Sequence, residues 1–510
     1  LLRVLALPRF GRKDHAAVEL NNKDVDPLPD FHDPFSRPGQ VRRAMRFVSV
    51  AWVFGAVWIT ATAGAPLALF AQGLHASRFE FGLLAAMPFV TTLLSPLGTL
   101  LTERFGHRRL IFLVGLFSQR LMWLVLAPVV LLVLHRSSPG HFAPALYLFL
   151  ALMFLQNIGS SIGGIPWTSW MADIVPDRVR GRYFNRRRQF GILSAIPTAC
   201  VVGWWLDHRV TPGDTAGLLS TCALIFTMSA VFGMADIASF IFVPDIPLSP
   251  RPRVPLWQTL GEPLHNRQFL LAVGFTATMT FALGFMGQFV TLYLIDRVHS
   301  TNFQTQVMLL ILPMIAQYLV LPIWGRASDR MGKKPLLILS GLGMVLPGLG
   351  WSFLTGHNIW FGYFVAGLGA AMYAGIETAN QNLVIELSVS SPEKSNSSGS
   401  YVAANSIITS IATCLGGVAS GIVAQAMGDW HWHPSGAMAF LNFKTFDYYD
   451  VLFALSAMIR IAAVVIFLPR LIEPSARPAH EALRFMTGNV YSNLVGVVTM
   501  PFKLAGRRRE

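Results

Sequence analysis

Charged side chains are scarce in this chain. Of 510 residues, only 13% are Asp, Glu, Lys or Arg, while 53% are hydrophobic. A soluble globular protein is about a quarter charged, so water cannot wet most of this surface, which argues against a soluble enzyme. The same balance excludes disorder as the main state, because disorder needs low hydrophobicity and high charge. Cysteine is almost missing: Cys200, Cys222 and Cys414 all lie in apolar runs, so no disulfide framework is implied. Also lacking are a phosphate-cradling Gly-rich loop, a Ser/His/Asp arrangement and a His–Cys cluster. Asp429-Trp430-His431-Trp432-His433 comes nearest to a metal motif, but its spacing fits no strong zinc pattern. No cofactor, bound metal or enzymatic reaction is therefore expected, and ATP-driven pumping by this chain alone has no nucleotide site. Residues 1–46 are polar and basic and lack the apolar core of a signal peptide. The chain opens at Leu1 rather than Met, which leaves the completeness of its start open.

What the chain has in abundance is apolar length. About 20 mainly apolar residues cross a bilayer. Twelve stretches qualify: 47–73, 81–101, 110–134, 142–165, 189–206, 217–243, 268–294, 304–324, 335–354, 359–385, 401–427 and 448–468. In lipid only helices and closed barrels satisfy their own backbone, and these runs do not alternate as barrel strands do. They predict an all-α polytopic membrane protein with twelve transmembrane helices. The positions of Lys and Arg predict its orientation. With the N-terminus in the cytoplasm, the inner loops hold seventeen of them and the outer loops five: Arg78, Arg136, Arg209, Arg297 and Lys444. This positive-inside bias accounts for most of the net charge of +14 without any nucleic acid. It places both termini in the cytoplasm, with the plasma (inner) membrane as the expected location.

The Pro-rich, basic segment 244–267 divides the chain, and the two sides repeat each other. The second stretch ends in Glu103-Arg104-Phe105-Gly106-His107-Arg108-Arg109, the eighth in Gly325-Arg326-Ala327-Ser328-Asp329-Arg330-Met331-Gly332-Lys333-Lys334. Gly163-Gly164-Ile165 in the fourth stretch matches Ala374-Gly375-Ile376 in the tenth, and Asp236 and Arg460 hold corresponding places in the sixth and twelfth. The expected layout is a cytoplasmic tail at 1–46, a six-helix bundle at 47–243, a cytoplasmic linker at 244–267 and a second bundle at 268–470. An amphipathic, basic cytoplasmic tail at 471–510 completes it, with Leu483, Met486, Val490, Leu494 and Val497 at helical spacing.

On these residues the chain resembles the major facilitator superfamily of transporters. The family's loop signature, G-x-x-x-D-R-x-G-[KR]-[KR], is met at every position from Gly325 to Lys334 and in altered form from Gly98 to Arg109. The segment Asp173-Ile174-Val175-Pro176-Asp177-Arg178-Val179-Arg180-Gly181 after the fourth stretch is similar to the family too. The resemblance implies two pseudo-symmetric six-helix bundles. It also implies conformational latches in the loops, carried by Glu103, Arg104, Gly106, Arg108, Asp173 and Arg180, and by Gly325, Asp329, Arg330, Gly332, Lys333 and Lys334. Asp329 is expected to cap or attract the N-terminus of a neighbouring helix.

An ionisable group at mid-membrane is costly, so it has a partner or a task. Arg120, Asp236, Glu377 and Arg460 are four such groups. Counted at the helical rise of about 1.5 Å per residue, Glu377 and Arg460 lie at similar depth, as do Arg120 and Asp236. Two ion pairs are expected, Glu377–Arg460 and Arg120–Asp236. The resemblance puts helices 1, 4, 7 and 10 around a central cavity, which makes Glu377 the candidate to bind a proton or a cationic group. Gln156, Asn157, Ser160, Thr276, Thr280, Gln288, Asn380, Gln381 and Asn382 stand on helices 4, 7 and 10 as cavity candidates, although any one of them also suits a hydrogen bond to a neighbouring helix. Gly159 with Gly163, and Gly417 with Gly421, have the spacing of close helix packing. Trp167 and Trp170 suit an interfacial belt.

The expected function is secondary active transport of a small solute by alternating access, with proton coupling if Glu377 titrates. The lipid bilayer and the solute are the expected partners. Two alternatives use the same fold: a lipid flippase or scramblase, and a membrane sensor or assembly factor that transports nothing.

Overall fold

Apolar runs of this length close their hydrogen bonds internally, and in the computed structural model they are helices. The structure describes residues 38–138, 140–211, 213–245, 256–389, 397–433, 444–473 and 476–488. Among these, twelve helical spans are long and apolar enough to cross a membrane. They are α1 (Gly39–Gly73), α2 (Arg78–Thr102), α3 (Arg108–Arg136), α4 (Ala143–Thr168), α5 (Arg186–Arg209) and α6 (Thr215–Phe242). The second set is α7 (Arg267–Asp296), α8 (Asn302–Met331), α9 (Lys333–Phe353), α10 (Ile359–Ser388), α11 (Ser400–Met427) and α12 (Tyr448–Arg470). A short linker helix, Leu256–His265, precedes α7, and a further helix, Ala479–Gly488, follows α12.

Local sequence explains many of the helix ends. Capping boxes start α2 at Ser77 with Glu80, α8 at Thr301 with Gln304, and α12 at Asp447 with Asp450. Helix α1 is already formed at Pro38, where the described residues begin, ahead of the apolar stretch; its polar first turns need not lie in lipid. Helix α4 likewise runs on to Ile174, and α5 starts at Asp177.

The first six spans form one bundle, with α3 against α4 and α6, and α1 against α5 and α6. The last six form the other, with α7 against α11 and α12, and α10 against α8 and α9. Small residues set the tightest crossings: a Cβ on Gly159 would stand 2.8 Å from the Gly115 carbonyl of α3. The helix Ala479–Gly488 packs on α8 and α9. It buries Ala482 and sets Phe485 under the Arg330 guanidinium, whereas Leu483, expected on its apolar face, is exposed. Met486's side chain and residues 490, 494 and 497 lie outside the described residues.

The chain enters α1 and leaves α12 at the same end, here called the tail end. The closest approaches of the two bundles are at the other, far end. There Gly82 of α2 faces Gly417 and Gly421 of α11, with a Cβ on Gly82 falling 2.6 Å from the Gly417 carbonyl oxygen. Asp207, at the end of α5, accepts hydrogen bonds from the Asn302 and Phe303 amides that open α8, at 2.7 and 3.0 Å. Gln72 donates to Asp296 at 2.8 Å, and Arg78 donates to the Gly428 carbonyl, pairs with Asp429 at 3.1 Å and stacks on Tyr448.

Candidate functional site

Three helices lose their regularity at one level beneath the far-end contacts. Helix α1 breaks at Ala63–Gly64, where Gly64 takes φ 70°, a value that glycine adopts freely. Helix α7 breaks at Gly287 (φ 15°, ψ −117°), and α8 contains a π-helical turn, Val307–Ile311. All three irregularities line one cavity of about 410 Å³. Non-helical backbone at membrane depth is tolerated where it borders a cavity, and π-turns gather at functional sites. Gly64 brings the first bundle to the cavity wall, and the remaining lining comes from α7, α8, α9, α10 and α12. Most of it is apolar, with Leu283, Met286, Val290, Met308 and Trp351, interrupted by Thr291, Gln317, Tyr373 and Arg460. Gln317 also receives a hydrogen bond from Arg188 of the first bundle, at 3.0 Å, and the adjacent Gln189 donates to Tyr318 at 3.0 Å.

Arg460 does not pair with Glu377. Its Nη1 donates to the Met344 carbonyl of α9 at 2.7 Å, and its Nη2 lies 3.1 Å from the Met286 sulfur. Its Nε has no hydrogen-bond partner, although the residue is only 1% exposed. Glu377 is exposed, and among the described residues no ion pair joins the two. The physical reason is lateral. Counting along the helices set the two groups at one height, but α9 packs against both α10 and α12 and occupies the space between them. Glu377 instead lies one helical turn from Tyr373, on the same face of α10, with exposed Gln381 a further turn on. The three form a polar stripe from the cavity wall toward the tail end.

Arg120 and Asp236 do meet, at 3.5 Å, both buried. Arg120 also donates to Gln119 at 2.5 Å, and its guanidinium lies 3.4 Å from the Trp58 ring centroid. The chain of bonds continues from Gln119 to Gln156 at 3.0 Å, and Trp123 donates to the same Gln156 oxygen at 3.3 Å. Gln156 is thus held by α3 inside the first bundle. Asn157, also buried, donates back to the Met153 carbonyl at 2.8 Å, and Ser160 is half-buried on the same helix.

The other polar candidates are likewise drawn into helix contacts. Thr276 donates to Asn380 at 2.8 Å, and Asn380 donates on to Asn405 of α11 at 3.4 Å. Thr280 donates to the Thr409 carbonyl at 3.3 Å, and Asn382 donates to Ser328 at 3.1 Å. None of these side chains lines the 410 Å³ cavity. The side chain of Gln288 lies outside the described residues. Trp170 is fully buried and donates to the Pro244 carbonyl at 3.1 Å, so it is no part of an interfacial belt; Trp167 stacks against Arg187.

The tail-end loops differ between the bundles. In the first, buried Arg108 pairs with Asp173 at 2.6 Å, Gly106 closes its helix at φ 70°, and Arg104 is exposed. The side chains of Glu103 and Arg180 lie outside the described residues. In the second, Asp329 is exposed, and a residue that sequence reasoning passed over caps the next helix. Glu473, beyond α12, accepts from the Lys333 amide at 2.9 Å and the Lys334 amide at 2.7 Å. Its side chain is 3% exposed and pairs with Lys333 Nζ at 3.6 Å, while Lys333 Nζ also pairs with Glu386 at 2.5 Å. Gly332 stands at φ 92° against Glu473, and Lys334 Nζ donates to the Leu471 carbonyl at 2.7 Å. The space around Gly325 is open, with nothing within 4 Å of a Cβ built there, whereas a Cβ on Gly98 would clash with the Ile162 carbonyl of α4.

The sequence profile of the Major Facilitator Superfamily matches residues 47–417 and 290–502. No curated protein matches the chain significantly. Among solved structures, a bacterial homologue of the human lysosomal transporter Spinster, inward-facing and unoccupied, is similar with a TM-score of 0.57 at 14% identity, covering 89% of this chain and 99% of that one. The nucleoside transporter NupG is similar with a TM-score of 0.59 at 10% identity, covering 85% and 99%. A bacterial homologue of the iron transporter ferroportin, inward-facing, gives a TM-score of 0.59 at 12% identity, covering 84% and 99%.

Proposed function

Because the chain belongs to the major facilitator superfamily, we propose that it is a secondary active transporter that carries a small solute through the cavity by alternating access. The observation that carries this reading is the placement of the cavity: it lies at the level of three irregular helices, beneath close contacts between the bundles at the far end. Rocking the bundles about such a site exposes it to one side and then the other. The Lys and Arg distribution supports a cytoplasmic tail end, so this state opens inward, both termini lie in the cytoplasm, and the protein resides in the plasma membrane. Glu377 is the proton carrier. In support, it is exposed, has no ion-pair partner among the described residues and shares a helix face with Tyr373 of the cavity wall. A lipid-facing carboxylate at this depth would be costly, so that face borders a water-filled vestibule. The neighbouring structures are named for different cargoes, nucleosides for one and iron for another, and so do not choose this chain's solute.

The test begins with a thermal-stability screen of the purified protein against a solute library at acid and neutral pH, since a ligand of the folded state raises its apparent stability. Each hit is then followed for uptake into proteoliposomes under an imposed pH gradient. Gradient-driven accumulation by the wild type, lost in Glu377→Gln, is the expected result. Accumulation that keeps its pH dependence in Glu377→Gln refutes the proton role. Binding without any uptake refutes transport.

A further inference from the structure

Arg460 is a buried cation that lines the cavity with no carboxylate in ion-pair reach among the described residues. Leaving a guanidinium uncompensated in a low-dielectric site costs several kcal/mol, and a carbonyl plus a thioether sulfur satisfy two of its nitrogens only. Its Nε is unbonded. Gly348 of α9 leaves space beside the group: a Cβ there would come within 2.8 Å of Nη1. From the other bundle a second cation, Arg188, donates to Gln317 of the wall without itself lining the cavity. Most of the remaining wall is apolar, contributed by residues such as Leu283, Val290, Met308 and Trp351, with Thr291 and Tyr373 between them. Glu377 lies one turn beyond the wall residue Tyr373 on α10 and forms no ion pair with Arg460.

We propose that Arg460 is the anchor of an anion-binding site, and that the cavity takes an amphipathic anion, a single carboxylate, sulfonate or phosphate group on an apolar body. The acidic group meets the guanidinium from the cavity side, where its planar N–H donors suit a planar or tetrahedral oxyanion. The apolar body lies against the Met, Leu and Trp wall. This names the substrate class of the transporter and rests on that reading. The same chemistry is offered by two sources, a water-soluble organic acid and the headgroup of an acidic lipid.

The experiment uses the full chain in phosphatidylcholine nanodiscs, with hexanesulfonate, charged at every working pH, and its neutral analogue hexanesulfonamide as probes. Hexanesulfonate is expected to raise the melting temperature and hexanesulfonamide to leave it unchanged. Arg460→Met should fold, because it replaces a buried charge with an apolar side chain of similar length, and it should bind hexanesulfonate about 10- to 100-fold more weakly. Arg460→Lys should fall between the two. In a second arm phosphatidylglycerol is added to the nanodiscs in place of the sulfonate. Stabilisation in this arm alone, lost in Arg460→Met, assigns the anion to a lipid, and stabilisation by the sulfonate alone assigns it to a soluble acid. Equal effects of sulfonate and sulfonamide on the wild type, or undiminished binding by Arg460→Met, or no response to either anion, would overturn the site. Flux separates this proposal from the one beneath it: sulfonate binding without uptake removes transport and keeps the anion site, while solute uptake undiminished in Arg460→Met, with no response to either anion, keeps transport and removes the site.

Discussion

Replacing Gly82 by valine should open the far end. The atoms that a Cβ at this position would meet are the Gly417 oxygen at 2.6 Å, the Gly421 Cα at 2.7 Å and the Gly421 nitrogen at 2.9 Å. All belong to the α11 backbone, so no side-chain rotation relieves the clash and the two helices have to part. Overpacking of this kind costs about 1–3 kcal/mol. Set against an equilibrium between two arrangements of the bundles, that is a shift of about 5- to 150-fold away from the closed far end. The polar far-end contacts, from Arg78 and Asp207, cross between bundles and can be exchanged for water, so separation is cheaper than unfolding either bundle. The assay is a spin–spin distance between labels on Ser138, in the loop after α3, and His357, in the loop before α10. Both positions are exposed and lie in opposite bundles, in a background lacking Cys200, Cys222 and Cys414. The wild type should give mainly the short distance and Gly82→Val a dominant longer one. Gly98→Val is the control, because its clash with the Ile162 carbonyl lies within the first bundle; it should lower stability without lengthening the distance. An unchanged distance distribution in a folded Gly82→Val protein would refute the closure argument.

Other expectations follow from single contacts. Asp207→Ala leaves the Asn302 and Phe303 amides without their acceptor; losing such a cap costs about 0.5–2 kcal/mol, and the same pair of spin labels should report partial opening. Asp236→Ala strands the buried Arg120 guanidinium and should destabilise by about 3–5 kcal/mol, while Arg120→Met with Asp236→Leu should recover most of it in thermal unfolding. Glu473→Gln weakens the charge-assisted bonds to the Lys333 and Lys334 amides. Hydrogen exchange at those two amides should quicken, by an amount equivalent to about 1.5–3 kcal/mol if both bonds open, with no change at the Asp207-capped amides of α8.

Much of the architecture was legible because the bilayer imposes a one-dimensional code. Length and apolarity are local properties, so α1 to α12 stand where the apolar stretches are, and the repeated loop motif marks the second bundle as a copy of the first. Heights along a helix can be counted from the sequence for the same reason, at about 1.5 Å per residue. Direction around the helix was not legible. Glu377 and Arg460 agree in the depth counted along the sequence and still do not pair, because α9 packs against both of their helices. Gln156, Thr276 and Asn380 were read as cavity groups, yet each bonds a neighbouring helix. Their polarity says that they avoid lipid, and a helix partner serves that need as well as water does.

The residues that build the cavity had no local signal. The chain has 43 glycines, and nothing in the sequence singles out Gly64 or Gly287 as the ones at which a helix breaks. Glu473 lies 140 residues from the Lys333 amide that it caps, and Asp329, inside the signature, was the nearer and wrong choice. The sequence by itself determined the number of crossings, their helical character, the twofold repeat and the family, because the cost of exposing backbone and charge to lipid is set residue by residue. Only the tertiary structure decided where the bundles approach most closely, which polar groups bond each other, and that Arg460 lines a cavity with no ion-pair partner among the described residues. Those outcomes depend on how helices distant in the chain are rotated and packed, and no stretch of sequence carries that information alone.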